Sequence, residues 1–142
     1  QEGFGNEVKR RIMVGSYLLS GENAKTYYDK ALSIRDDMKK EFTKVFENYD
    51  LIIGPTTTTT AYDLTDSMDD PRKTFMDDVL VIPVNMAGLP GLNVPVGFDK
   101  EHMPIGLHII GNAFEEAKIY QLASFIEKEL NLNLEVRGEN ND

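Results

Sequence analysis

The sequence predicts an α/β fold, a sheet flanked by helices, and three observations carry that expectation. Val81 to Gly111 packs two short apolar runs, Leu92–Val96 and Ile105–Ile110, between Gly, Pro and charged residues, which is the pattern of buried strands. Asp50–Gly54 supplies a third run of the same kind. Long stretches before and after keep a helical period, from Glu7 to Ser20, Glu22 to Asn48 and Asn112 to Leu130. At 142 residues with 41% hydrophobic content, the chain suits one domain with a core.

In chain order, Glu7–Ser20 reads as a helix with Val8, Ile12, Gly15 and Leu19 on one face, Asn6 as its cap and Gly21 as its stop. Lys9 and Arg10 fall away from that face. Arg11 borders it, so its guanidinium is expected to reach along the core, either as a snorkelling arginine with a buried stem or as a bidentate carboxylate clamp. The second helix carries Ala24, Tyr28, Ala31, Met38, Phe42, Val45 and Tyr49 on an apolar stripe, with Asp36, Asp37, Lys39, Lys40 and Glu41 as a solvated face. After the strand at Asp50–Gly54, Pro55 leads into five consecutive threonines, Thr56 to Thr60. Placed directly after a buried strand, they read as an ordered strand-end loop able to line a ligand site, not as a low-complexity linker.

Tyr62 to Lys73 is acidic, with Asp63, Asp66, Asp69 and Asp70. The spacing lacks the glycine and closing glutamate of an EF-hand, so a solvated loop is expected over a calcium site. A short helix is expected over Thr74–Ile82, with Asp77 and Asp78 beside Phe75, Val79 and Leu80. A carboxylate buried there needs a cation, either a structural Arg or Lys or a ligand ammonium. Pro83 then marks a helix N-terminus, and Gly88-Leu89-Pro90-Gly91 forces a tight path into the strands, whose connection at residues 98–103 is short enough for a hairpin. Asn112 and Glu115 stand in capping-box register before the stripe Ile119, Leu122, Ala123, Ile126 and Leu130. Residues 131–142 are polar, without periodicity, and are expected to fray as a flexible tail.

Charge and composition narrow the function. A net charge of −9 disfavours direct phosphate-backbone binding, and the absence of cysteine removes disulfides and a thiolate nucleophile. His102 and His108 cannot make a zinc site unaided, so no metal site is expected. No apolar run approaches a membrane span and nothing at the start reads as a leader, so a cytoplasmic location is expected. The opening Gln1 points to a natural start upstream. Serines 16, 20, 33, 67 and 124 are isolated, and no nucleophile elbow or nucleotide loop is present. No complete catalytic apparatus can be assembled from these residues.

Four blocks carry a resemblance: GNEVKRRIMVGSYLLSG, FENYDLIIGPTTTTTA, DDPRKTFMDDVLVIPVNMAGLPGLNVPVGF and MPIGLHIIG. In order and spacing they resemble the C-terminal part of the amidase signature family, in the branch formed by the A subunits of glutamyl-tRNA(Gln) amidotransferases. One departure is Thr58, where the family often carries a proline after Gly-Pro-Thr-Thr; this relaxes the loop.

The resemblance implies a mixed β-sheet wrapped by helices, and a Ser, cis-Ser, Lys triad in an upstream region that this sequence does not match. The chain is then expected to be a C-terminal fragment of a single amidase domain, inactive alone and holding no catalytic residue. By position, Arg11 matches the arginine that holds the glutamine α-carboxylate, and Asp78 the aspartate that holds the α-ammonium. Arg10 and Asp77 are the neighbouring alternatives; helical phase favours Arg11 over Arg10 but does not separate Asp77 from Asp78. The resemblance further implies glutamine hydrolysis, ammonia delivery to a B subunit that uses ATP and Mg, a bridging C subunit, and tRNA met through the complex. No cofactor is expected in this segment. The alternative readings are a fragment of another amidase-signature hydrolase acting on a different amide, or a non-catalytic, free-standing interaction module.

Overall fold

A computed structural model describes residues 3–62 and 76–132. The acidic aspartates Asp63, Asp66, Asp69 and Asp70, the predicted helix start at Thr74 and the tail beyond residue 132 lie outside the described residues.

The chain opens with helix α1 (Asn6–Leu18). A one-turn helix, α2 (Gly21–Asn23), runs into a π-helical turn over Ala24–Tyr28 and then into helix α3 (Asp29–Phe46). Strand β1 (Leu51–Pro55) follows, then the short helix α4 (Ile82–Ala87), strands β2 (Gly91–Phe98) and β3 (Pro104–Gly111), and helix α5 (Glu116–Leu130). The strands form one sheet in the order β1-β3-β2, antiparallel throughout. The fold is therefore α/β, a small sheet with flanking helices.

Pairing register decides which side chains meet. Ile53 stands opposite Ile109 and Val94 opposite Leu107, so Leu92, Val94, Leu107 and Ile109 share one face because side chains alternate along a strand. Helix α5 lies on that face, and Ile109, fully buried, joins Val94, Ile119 and Ala123 in the core, with Leu51, Leu92, Leu107, Leu122 and Ile126 around them. Each large side chain removed from water there contributes about 1.5–3 kcal/mol. Pro95 is tolerated because, among the described residues, β2 pairs on one side only and its register shifts between Pro95 and Gly97, leaving Val96 as a bulge.

Helix α4 is short and sharply ended. Pro83 occupies its first turn, where a missing N–H costs nothing. Gly88 turns left-handed at φ 72°, the Gly88 N–H donates to the Asn85 carbonyl and the Leu89 N–H to the Val84 carbonyl, a Schellman stop that aims the chain into β2. Arg35 on α3 donates its Nε–H to the Met86 carbonyl at 2.9 Å, so a cation meets the negative end of α4 and fixes it against α3.

Four expectations change. Of the predicted helix over 74–82, the described residues from 76 onward form a helical turn at 76–78, with α4 beginning at Ile82, where the prediction ended. The long second helix is interrupted by its π-helical turn, and its best-buried stripe is Met38, Phe42 and Phe46; Tyr28 and Tyr49 are exposed. No capping box forms at α5: the helix starts at Glu116, the Asn112 side chain accepts the Ala113 N–H instead, and Glu115 pairs with Lys118. Finally, α1 begins at Asn6, so that residue is inside the helix and caps nothing. Its apolar face packs on no core: Val8, Ile12 and Leu19 are all exposed, because among the described residues α1 meets chiefly the Ala24–Tyr28 turn.

Candidate functional site

The threonine run is ordered and bends off the end of β1. The Thr56 N–H continues the ladder onto the Gly106 carbonyl at 3.1 Å, and its hydroxyl donates to Asn93 Oδ1 at 2.9 Å. That hydroxyl fills the space beside Gly106, where any Cβ would lie 2.6 Å from Thr56 Oγ1. Beyond it the loop folds on itself, the Thr57 hydroxyl donating to the Thr59 carbonyl at 2.7 Å. The result is an open cavity of about 300 Å³ lined by Thr57–Thr60 and Pro55 on one side and by Pro104, Ile105 and Gly106 on the other. Its walls offer hydroxyls and apolar surface without a charged side chain.

Asp99 holds this cavity to the hairpin. Its carboxylate accepts the Thr60 hydroxyl at 2.6 Å and the backbone N–H groups of Glu101 and Met103 at 2.8 and 2.9 Å. These donors, Thr60 first and then Met103, hold the carboxyl below the usual aspartate range. Within the sheet, His108 stands opposite Asn93 and is 6% exposed; burial pushes its pKa down, favouring the neutral ring.

Arg11 departs from expectation. It neither snorkels along a core nor lies buried, since its side chain is 64% exposed, and its Nε–H donates to Glu7 Oε1 at 2.9 Å. Arg10 donates to the same oxygen from Nη2 at 3.0 Å and lies 2.9 Å from Oε2. Clasped by both arginines, Arg10 foremost, Glu7 is held below the ordinary glutamate range. The cause is local: a glutamate three and four residues before two arginines shares their helix face.

Asp77 and Asp78 are half-buried in the turn at residues 76–78. The Tyr62 hydroxyl lies 3.5 Å from Asp77 Oδ2, the outer limit of a hydrogen bond. Among the described residues no ion pair joins Arg11 to either aspartate; its acid is Glu7. Sequence reading missed Glu7 and Asp99. The Glu-x-x-Arg-Arg spacing would have given the first, and an aspartate opening the 98–103 connection, an Asx-turn position, the second.

Comparison with known proteins bears on this arrangement. Residues 1–120 match the family model described as amidase. The chain is 50% identical over 127 residues, 89% of its length, to the A subunit of glutamyl-tRNA(Gln) amidotransferase from Bacillus thuringiensis (strain Al Hakam), and equally so to that of Bacillus cytotoxicus. It spans about a quarter of the length of these curated relatives, 26% of each. The crystal structure of the glutamyl-tRNA(Gln) amidotransferase A subunit from Thermotoga maritima superimposes with a TM-score of 0.75 at 38% identity, over 92% of this chain and 28% of that one. A crystal structure described simply as amidase matches with a TM-score of 0.68 at 26% identity, over 91% of this chain and 30% of its own. A family model covering 120 of 142 residues, with the fold shared by these structures, places the chain in the amidase family.

Proposed function

We propose that this chain contributes the amino-acid-binding part of a glutamine-hydrolysing amidase domain in a tRNA-dependent amidotransferase. The observation that carries this reading is the 50% identity with A subunits of glutamyl-tRNA(Gln) amidotransferases along nearly the whole chain. In this reading Arg11 receives the α-carboxylate of glutamine and Asp78 its α-ammonium. A zwitterion needs one cation and one anion, and a guanidinium fork with a half-buried carboxylate supplies both. The serine nucleophile and its Ser-Lys partners lie in amidase-domain residues that this sequence does not contain. Ammonia released there passes to a B subunit that activates Glu-tRNA(Gln) with ATP and Mg, with a C subunit bridging the two. The site works in the cytoplasm, and this segment itself holds no cofactor.

The test is glutaminase activity of this chain alone and mixed with the upstream amidase-domain residues. Silence alone and activity on mixing support the proposal. Activity of the chain alone would overturn it, because a nucleophile would then lie within these residues.

A further inference from the structure

Among the described residues, the Arg11 guanidinium is held at one point only. Its Nε–H donates to Glu7 Oε1, and neither terminal nitrogen has a partner. Helix α1 buries no side chain among the described residues, so within this chain that contact alone orients the Arg11 guanidinium. Glu7 is in turn clasped by Arg10 through both carboxylate oxygens, at 3.0 and 2.9 Å. One carboxylate against two guanidinium groups leaves a net charge of +1, which matches one ligand carboxylate.

We infer that Glu7 is a positioning residue for Arg11: it takes the Nε side of the guanidinium and presents the free Nη fork to the ligand's carboxylate, with Arg10 bracing Glu7 from the other side. This inference rests on the proposed function, in which Arg11 is the carboxylate-binding residue. The chemistry favours such a brace. A guanidinium on a flexible stem loses side-chain freedom when it binds, and a contact that orients it beforehand removes part of that cost. Engaging Nε also leaves one bidentate edge, so a planar carboxylate has one approach instead of two. The exposed Glu7–Arg pairs contribute little to fold stability, so the brace is expected to act on ligand binding and not on folding. Glu7 is further held ionised by its two arginines, which keeps the brace in place across neutral pH.

The test uses steady-state glutamine hydrolysis by this chain together with the upstream amidase-domain residues, with thermal melting alongside. Glu7→Ala is expected to raise KM for glutamine roughly threefold to tenfold, a small part of a charged hydrogen bond's worth, with kcat within about twofold and Tm unchanged. Glu7→Gln, whose amide oxygen still accepts the Nε–H, is expected to recover part of the loss. In an Arg11→Ala background, Glu7→Ala is expected to add nothing, because its effect passes through Arg11. If Arg11→Ala raises KM while Glu7→Ala leaves it unchanged or lowers it, Glu7 is no brace and the inference falls while the proposed function stands. Independent, multiplying effects of the two substitutions would overturn it likewise. If Arg11→Ala itself leaves KM unchanged, the carboxylate assignment fails and takes this inference with it.

Discussion

The Thr60 hydroxyl donates to the Asp99 carboxylate at 2.6 Å, across 39 residues of chain, and so ties the loop after β1 to the turn between β2 and β3. Two irregular segments that each lack regular hydrogen bonding become one structure through a single carboxylate. Asp99→Ala removes three acceptor contacts at once. Faster amide exchange at Glu101 and Met103, together with loosening of the threonine loop, is the expected outcome, measured by hydrogen exchange with NMR detection. Exchange equal to that of the unaltered chain would mean the loop is held by its own backbone.

Acid is expected to destabilise the fold in two steps. Burial lowers the His108 pKa below its ordinary value, so the unfolded chain binds this proton more readily; stability present above about pH 6.5 is lost as pH falls toward the folded value. The depressed carboxyls of Asp99 and Asp50 act lower, their contribution being present above about pH 4 and lost as pH falls through their folded values. Chemical denaturation from pH 8 to 3 reads both steps. Replacing His108 with Gln is expected to remove the upper one and leave the lower.

At Gly88 the backbone sits at φ 72°, and a Cβ there would meet nothing within 4 Å. The cost of Gly88→Ala is therefore conformational alone, about 1 kcal/mol. Equilibrium denaturation measures it, and a neutral result would show that the turn relaxes out of the left-handed region.

Taken alone, this chain is expected to self-associate. Val8, Ile12, Met13 and Val14 leave α1 with an exposed apolar surface, and β1 and β2 each pair on one side only among the described residues. Light scattering at micromolar concentration should show oligomers that diminish when the upstream amidase-domain residues are added. A cooperatively folding monomer would instead mark a free-standing module.

Asp77 and Asp78 can be separated by measurement where helical phase could not separate them. With Asp78 as the ammonium ligand, Asp78→Asn is expected to raise KM for glutamine roughly tenfold or more, the range of a charged hydrogen bond, and Asp77→Asn to leave it near the unaltered value. The reverse pattern would move the assignment by one residue.

The sequence by itself determined the α/β class, the three strands, the tight Gly88–Gly91 path, the core stripe of α5 from Ile119 to Ile126 though not its last member, the exposed Leu130, and, through four blocks of residues, the family. These are local patterns: alternation, helical period and turn chemistry are written within a dozen residues of one another. It also contained the Glu7-Arg10-Arg11 spacing, since partners three and four residues apart on a helix meet whatever surrounds them. Only the tertiary structure decided that Thr56 fills the space beside Gly106, that Asp99 anchors Thr60, that Arg35 reaches Met86 and that His108 is buried. Each depends on strand register or on contacts across tens of residues, which no local period encodes. The misjudged face of α1 has the same origin. Amphipathic spacing says which residues could be buried together, and only a neighbouring surface decides whether they are.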